Sequence, residues 1–197
     1  SAIGSVFMGY LAGNGITTGD QNTAIGYKAL WKGTTLLRNT AIGYHAMKEA
    51  DAGPTVHRDN VFVGWSAGGG DWTSAESNNN TCIGSYAFMG NLDEATANTS
   101  LGVNTLNAVT SGDNNTAIGA YALDEIATGS HNTAVGYQAL HQIDGGETNN
   151  TAIGYLAGAN ADGNGEGTFV GANTSLGTAT DNDNVSIGES ATGGGAN

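Results

Sequence analysis

The nine residues NTAIGYKAL, at positions 22–30, decide how this chain is read, because the chain keeps spelling them. Near-copies stand at 39–47 (NTAIGYHAM), 115–123 (NTAIGAYAL), 132–140 (NTAVGYQAL) and 150–158 (NTAIGYLAG). Indexed on the glycine after the Ile-like residue, the copies fall at Gly9, Gly26, Gly43, Gly64, Gly84, Gly102, Gly119, Gly136, Gly154, Gly171 and Gly188. Successive glycines lie 17 to 21 residues apart, most often 17. The repeat runs through almost all of the 197 residues, which are read as a single repeat domain over 1–197.

Each copy has the same internal grammar. A β-branched residue stands three places before the glycine, and an aliphatic residue or Met directly before it. Ala follows three places after it, except at Thr105 and Thr174. Short β-branched runs bounded by Gly, Asn and Asp read as strands. A unit of 17 residues is too short for a helical hairpin. It fits one rung of an all-β parallel solenoid: a strand over NTAIG, a bend at the glycine, a second strand over YKAL and a return loop. Eleven rungs at about 4.8 Å each make a rod roughly 50 Å long.

Residue volumes indicate what is inside. The residue between Thr and Ile is usually Ala, but Phe at positions 7, 62 and 169. Four places after the glycine the residue is usually large, but it is Gly13, Gly68 and Ser175 in those three copies. Large facing small is what close packing demands; the copies at 152/158 and 186/192, small at both positions, depart from the pattern. If Ala24 faces this shared interior, alternation turns Thr23 and Ile25 outward. An outward column of Ile25, Ile42, Val63, Ile83, Leu101, Ile118, Val135, Ile153, Val170 and Ile187 is a large apolar patch that needs cover. Another copy of the chain is the expected cover, so the expectation is an obligate homo-oligomer.

The repeated word resembles the head repeats of trimeric autotransporter adhesins and, more closely, the NTAIGYxAL arrays of phage tail-fibre-like proteins. The resemblance covers residues 5–192 and implies a left-handed β-roll with three chains side by side. It further implies a non-enzymatic fibre segment, extracellular, on a cell surface or on a virion. Such a segment projects and stiffens, with contact to a host-surface glycan or protein. The head of a bacterial surface adhesin is the alternative.

Charge supports the exclusion of two partner classes. The net charge is −13, and all five basic residues lie before position 59, leaving fifteen acidic and no basic residues from 59 onward. Such a surface repels nucleic-acid phosphates and anionic lipid. No apolar run long enough to insert in a membrane is present. The single cysteine, Cys82, excludes an intrachain disulfide.

Other motifs give weaker leads. GWSAG at 64–68 fits the nucleophile-elbow pattern, but the register puts Ser66 in the slot held elsewhere by Lys28, His45 and Gln138, so no catalysis is expected. Asn160, Asp162 and Asn164, with Asp181 and Asp183, are candidate calcium ligands, although Gly171 stands where a calcium loop's closing Glu belongs. Ordinary turn chemistry accounts for the same residues. A Thr column raises ice binding as a distant alternative. The most variable loops carry Trp31, His57, Arg58, Asp71 and Trp72, the candidates for receptor or glycan contact.

Overall fold

The computed structural model describes residues 3–50, 55–72, 75–143, 146–161, 165–176 and 183–193. They form a parallel β-solenoid, with no helix among the described residues. Ten three-residue strands follow one another as Val6–Met8 (β1), Thr23–Ile25 (β2), Thr40–Ile42 (β3), Val61–Val63 (β4), Thr81–Ile83 (β5), Thr99–Leu101 (β6), Thr116–Ile118 (β7), Thr133–Val135 (β8), Thr151–Ile153 (β9) and Thr168–Val170 (β10). Ser175–Leu176 (β11), Val185–Ile187 (β12) and Thr192–Gly193 (β13) complete the set. Strands β1 to β10 and β12 form one eleven-stranded sheet in chain order. Thr stands over Thr and Ile over Ile, as in Thr23↔Thr40 and Ile25↔Ile42. The register survives the longest rung, where Thr40 still pairs with Val61, because the extra residues go into the return loop.

The middle residue of each strand points inward, as alternation requires. Ala24, Ala41, Phe62, Cys82, Ala117, Ala134, Ala152 and Phe169 are all fully buried. The size exchange is borne out for two of the three Phe copies. A Cβ on Gly13 would lie 2.7 Å from the Phe7 ring, and one on Gly68 would lie 2.6 Å from Phe62. In the third copy the partner is a rung earlier: Phe169 fills the space a side chain at Gly158 would need, at 2.7 Å. This also accounts for the small pair Ala152 and Gly158, whose missing volume Phe169 supplies from the next rung.

The second strand expected over YKAL is absent in most rungs. Tyr27–Leu30 is a turn segment, with Lys28 and Leu30 at φ of 53° and 48°. The same two places after each glycine are left-handed in rung after rung, as at His45 and Met47 or Gln138 and Leu140. Alternating handedness turns the chain so that two consecutive residues, Ala29 and Leu30, are both fully buried in the same core, whereas an extended strand points consecutive side chains to opposite faces. Left-handed non-glycine residues cost about 1–2 kcal/mol each. Bonds to neighbouring rungs offset this: the Lys28 N–H donates to the Tyr10 carbonyl at 2.9 Å and the Leu30 N–H to that of Ala46 at 3.1 Å. Among the described residues, only β11 and β13 pair as strands in this part of the rung.

Two columns lock the rungs. The glycine before each turn has φ between +118° and +148°, a region nearly closed to other residues. In addition, a Cβ on Gly119 would lie 2.5 Å from the Gly136 carbonyl oxygen of the next rung. Four places before the glycine stands an asparagine that the volume argument leaves unexplained. Asn22, Asn39, Asn60, Asn80, Asn98, Asn115, Asn132 and Asn150 are all fully buried. Asn98 is typical. Its Oδ1 accepts from the Asn115 N–H at 2.9 Å and from Asn115 Nδ2 at 3.1 Å, while its own Nδ2 donates to Asn80 Oδ1 at 3.1 Å and to the Gly112 carbonyl at 2.8 Å. The side chain thus uses its full hydrogen-bonding capacity. The column stops at Gly167, where a Cβ would lie 2.5 Å from the Phe169 ring. There the backbone N–H of Gly167 satisfies Asn150 Oδ1 at 2.8 Å.

The return loops add a third inward set, including Leu36, Trp72, Leu92, Val109, Ile126 and Ile143. The two longest rungs carry the bulkiest filling. Trp72 packs edge-on to Phe62 and His57, with centroids 5.5 and 4.9 Å away, and its Nε1–H donates to the Gly68 carbonyl at 3.0 Å.

Two substitutions test these locks. Asn98→Ala removes both of the acceptor's bonds to Asn115 and leaves the Gly112 carbonyl without its donor; each buried polar group so orphaned costs about 1–3 kcal/mol. A loss of about 3 kcal/mol or more in denaturant unfolding is expected. Gly119→Ala meets both strained φ and the next rung's carbonyl. Gly188→Ala meets strain alone, about 1–3 kcal/mol, since its nearest neighbour is 4.0 Å away. The melting temperature should fall much further for the first; equal losses would remove the close-approach explanation.

Candidate functional site

The strand residues on either side of the buried one face outward, and this lines up a column of apolar side chains along the sheet. Thr81 and Thr99 are exposed and the other threonines of the eleven-stranded sheet half-buried. Beside them runs the aliphatic column. Met8 and Ile187, near its ends, are 63% and 66% exposed, and Leu101, in its middle, is 48% exposed. Ile83, Ile118 and Ile153 are also exposed, while Ile25, Ile42, Val63, Val135 and Val170 are half-buried. Across the glycine bend lies a column of exposed aromatics. Tyr10, Tyr27, Tyr44 and Trp65 stack with centroids 5.6, 5.1 and 4.2 Å apart, and Tyr137 stacks on Tyr155 at 5.6 Å. In-register rungs impose this spacing. Stacked rings cover each other's faces, so the column presents its edges to the surroundings.

A second surface forms where the turn and return loop of the Gly26 rung meet the rung after it. Every lysine in the chain lies over one tryptophan: Lys28, Lys32 and Lys48 place their Nζ atoms 4.2, 5.3 and 5.7 Å from the Trp31 ring centre. Glu49 pairs with Lys32, and with Lys48 at 2.7 Å. Burial opposes ionisation of the Glu49 carboxyl, but the two ammoniums outweigh it and hold the group below the usual carboxylate range. His45 stacks on Tyr44 at 3.9 Å. Its pKa is lowered by burial and then by the positive charges of Lys48 and Lys28.

The other sequence candidates separate. His57 and Trp72 are buried in the core, which leaves neither open to a receptor. Arg58 is paired with Glu76 at 3.2 Å. Asp71 is exposed, bridging to Glu49 through the backbone. Asn160 and Asp183 are exposed, whereas Asp162, Asn164 and Asp181 lie outside the described residues. Among the described residues no group of three or more His, Cys, Asp or Glu side chains is placed to hold a metal ion. Ser66 is buried at a left-handed turn position, φ 50°. His45 holds the same slot one rung earlier, but its Nε2 is buried without a hydrogen-bond partner. The pair therefore lacks the base-to-nucleophile bond that serine activation requires.

Two further features were not anticipated from the sequence. His141 Nδ1 is bonded to Asp124, with Glu125 3.9 Å from Nε2; burial raises the Asp124 pKa despite this partner. His141 also borders an open cavity of about 310 Å³ with Gln142, Asn160, Asn173 and Thr174. The lysine cluster was equally unseen, although three lysines within 21 positions of an otherwise acidic chain were visible as a composition signal.

Cys82 provides a reporter of solenoid integrity. Burial pushes its thiol up to about 12, against smaller opposing contacts from Ser100. An aromatic disulfide reagent at pH 8 should leave the native protein untouched and titrate one thiol after denaturation; rapid native reaction would contradict the packed interior. No family model matches the chain, and no curated protein and no solved structure matches it.

Proposed function

We propose that this chain is a structural fibre segment that works as a side-by-side homotrimer, projecting from a virion or a cell surface. One observation carries the reading: a column of aliphatic side chains, in register over eleven strands, stands outward on a protein whose loops are acidic and polar. Contiguous apolar surface of this extent marks an interaction site. Because the column repeats with the rung, its natural complement is a surface with the same repeat, and another copy of the chain has one. The number three and the left hand of the roll come from the resemblance of NTAIGYxAL to trimeric tail-fibre and adhesin-head repeats. Attachment to a virion is favoured by the closer wording of the tail-fibre arrays; the head of a bacterial adhesin is the alternative within the same architecture. The role is mechanical: the in-register sheet and asparagine column stiffen the rod, and the turns and loops remain free for contact with a host surface.

Sedimentation equilibrium tests the assembly. A species of three times the chain mass is expected, and Ile118→Asp, which puts a charge into the middle of the column, should dissociate it while the far-UV spectrum stays that of a β protein. A monomer at all concentrations would overturn the proposal.

A further inference from the structure

The strand face leaves the lysine-ringed tryptophan unaccounted for. Lys28 follows the glycine by two places, Trp31 by five and Lys32 by six, while Lys48 holds the Trp31 slot of the next rung. None belongs to the outward strand face, so association through that face alone leaves the cluster on the surface.

Its charge is anomalous for this chain. Fifteen acidic residues and no basic ones occupy positions 59–197, yet all three lysines converge on a single indole. Both arginines are committed to ion pairs, Arg38 with Asp59 and Arg58 with Glu76. Glu49 is shared between Lys32 and Lys48. Among the described residues Lys28 makes no ion pair; its ammonium lies over the Trp31 and Tyr27 rings. Holding like charges together costs energy that a surface lysine avoids by swinging away, and an anion bound between them would relieve that cost.

We propose that Lys28, Lys32 and Lys48 around Trp31 bind an acidic saccharide, a sugar that carries a carboxylate or a sulfate. Lysine ammoniums are point charges that suit such single anionic groups. The half-buried indole supplies an apolar wall for the C–H edge of a sugar ring. The site spans two rungs, about 5 Å of rise, which is the scale of one or two sugars. A polyphosphate chain long enough to leave this patch meets the acidic remainder of the surface and is repelled.

The test is titration calorimetry at low salt with digalacturonate, glucose 6-sulfate, neutral maltose and an oligothymidylate. Binding of digalacturonate or glucose 6-sulfate, with none of maltose, is expected, and the stronger of the two identifies the anionic group. Lys28→Gln, which breaks no ion pair among the described residues, should weaken it at least tenfold with an unchanged melting temperature, while Lys28→Arg should retain it. Failure of both acidic sugars to bind, an unchanged affinity in the Lys28→Gln variant, or tighter binding of oligothymidylate would overturn the assignment. None of these readouts depends on whether the rod is a trimer.

Discussion

The carbonyl of each rung glycine sits where the Cβ of the glycine one rung earlier would be. That close approach fixes the distance between rungs, and the rest of the architecture accommodates it. It demands glycine at one place in every copy, a demand that the positive φ there reinforces. It brings strand residues into vertical register, so whatever one copy places inward or outward becomes a column. The asparagines then add side-chain bonds of the same period, and the left-handed turn residues become tolerable because their own N–H groups bond across the rungs.

The columns divide labour. Inside, Ala, Phe and Leu trade volume within a rung or, as Phe169 does over Gly158, between rungs. On the strand face, Thr and Ile repeat with little variation. At the turn after the glycine the slots hold Lys28, His45, Ser66 and Gln138 in turn. A position held to the neighbouring rung through its backbone N–H is free to vary in side chain. For that reason the one local concentration of positive charge has its root there rather than on the strands.

Much of this was legible in the repeated word. The glycine register places the strands of the long sheet, and the Phe7–Gly13 and Phe62–Gly68 exchanges identify the interior face from residue volumes alone. The turn over YKAL was not legible as such, because Lys28 and Leu30 adopt positive φ with no glycine to announce it. Consecutive Ala29 and Leu30 were the available signal: two adjacent inward residues cannot both belong to an alternating strand. The asparagine at the start of each word was equally visible and equally unread, since a polar residue beside Thr suggests a surface turn until its four bonds are counted. Loop residues were the least predictable. His57 and Trp72 resemble surface contacts in sequence, yet the longer rungs fold them inward to fill the extra width.

The asparagine column also gives the molecule a direction. From Asn22 to Asn132 each side-chain oxygen accepts from the asparagine of the following rung. The strand backbone sends hydrogen bonds both up and down, as Thr23 does toward Asn39 and Gly26 toward Met8, so its dipoles largely cancel. The buried amide carbonyls all point one way, each polarising the next. The rod is therefore a vector with a positive and a negative pole, and reversing one copy beside another would set these axial fields against each other's sense, a chemical difference between parallel and antiparallel association that a drawing of the sheet alone would miss.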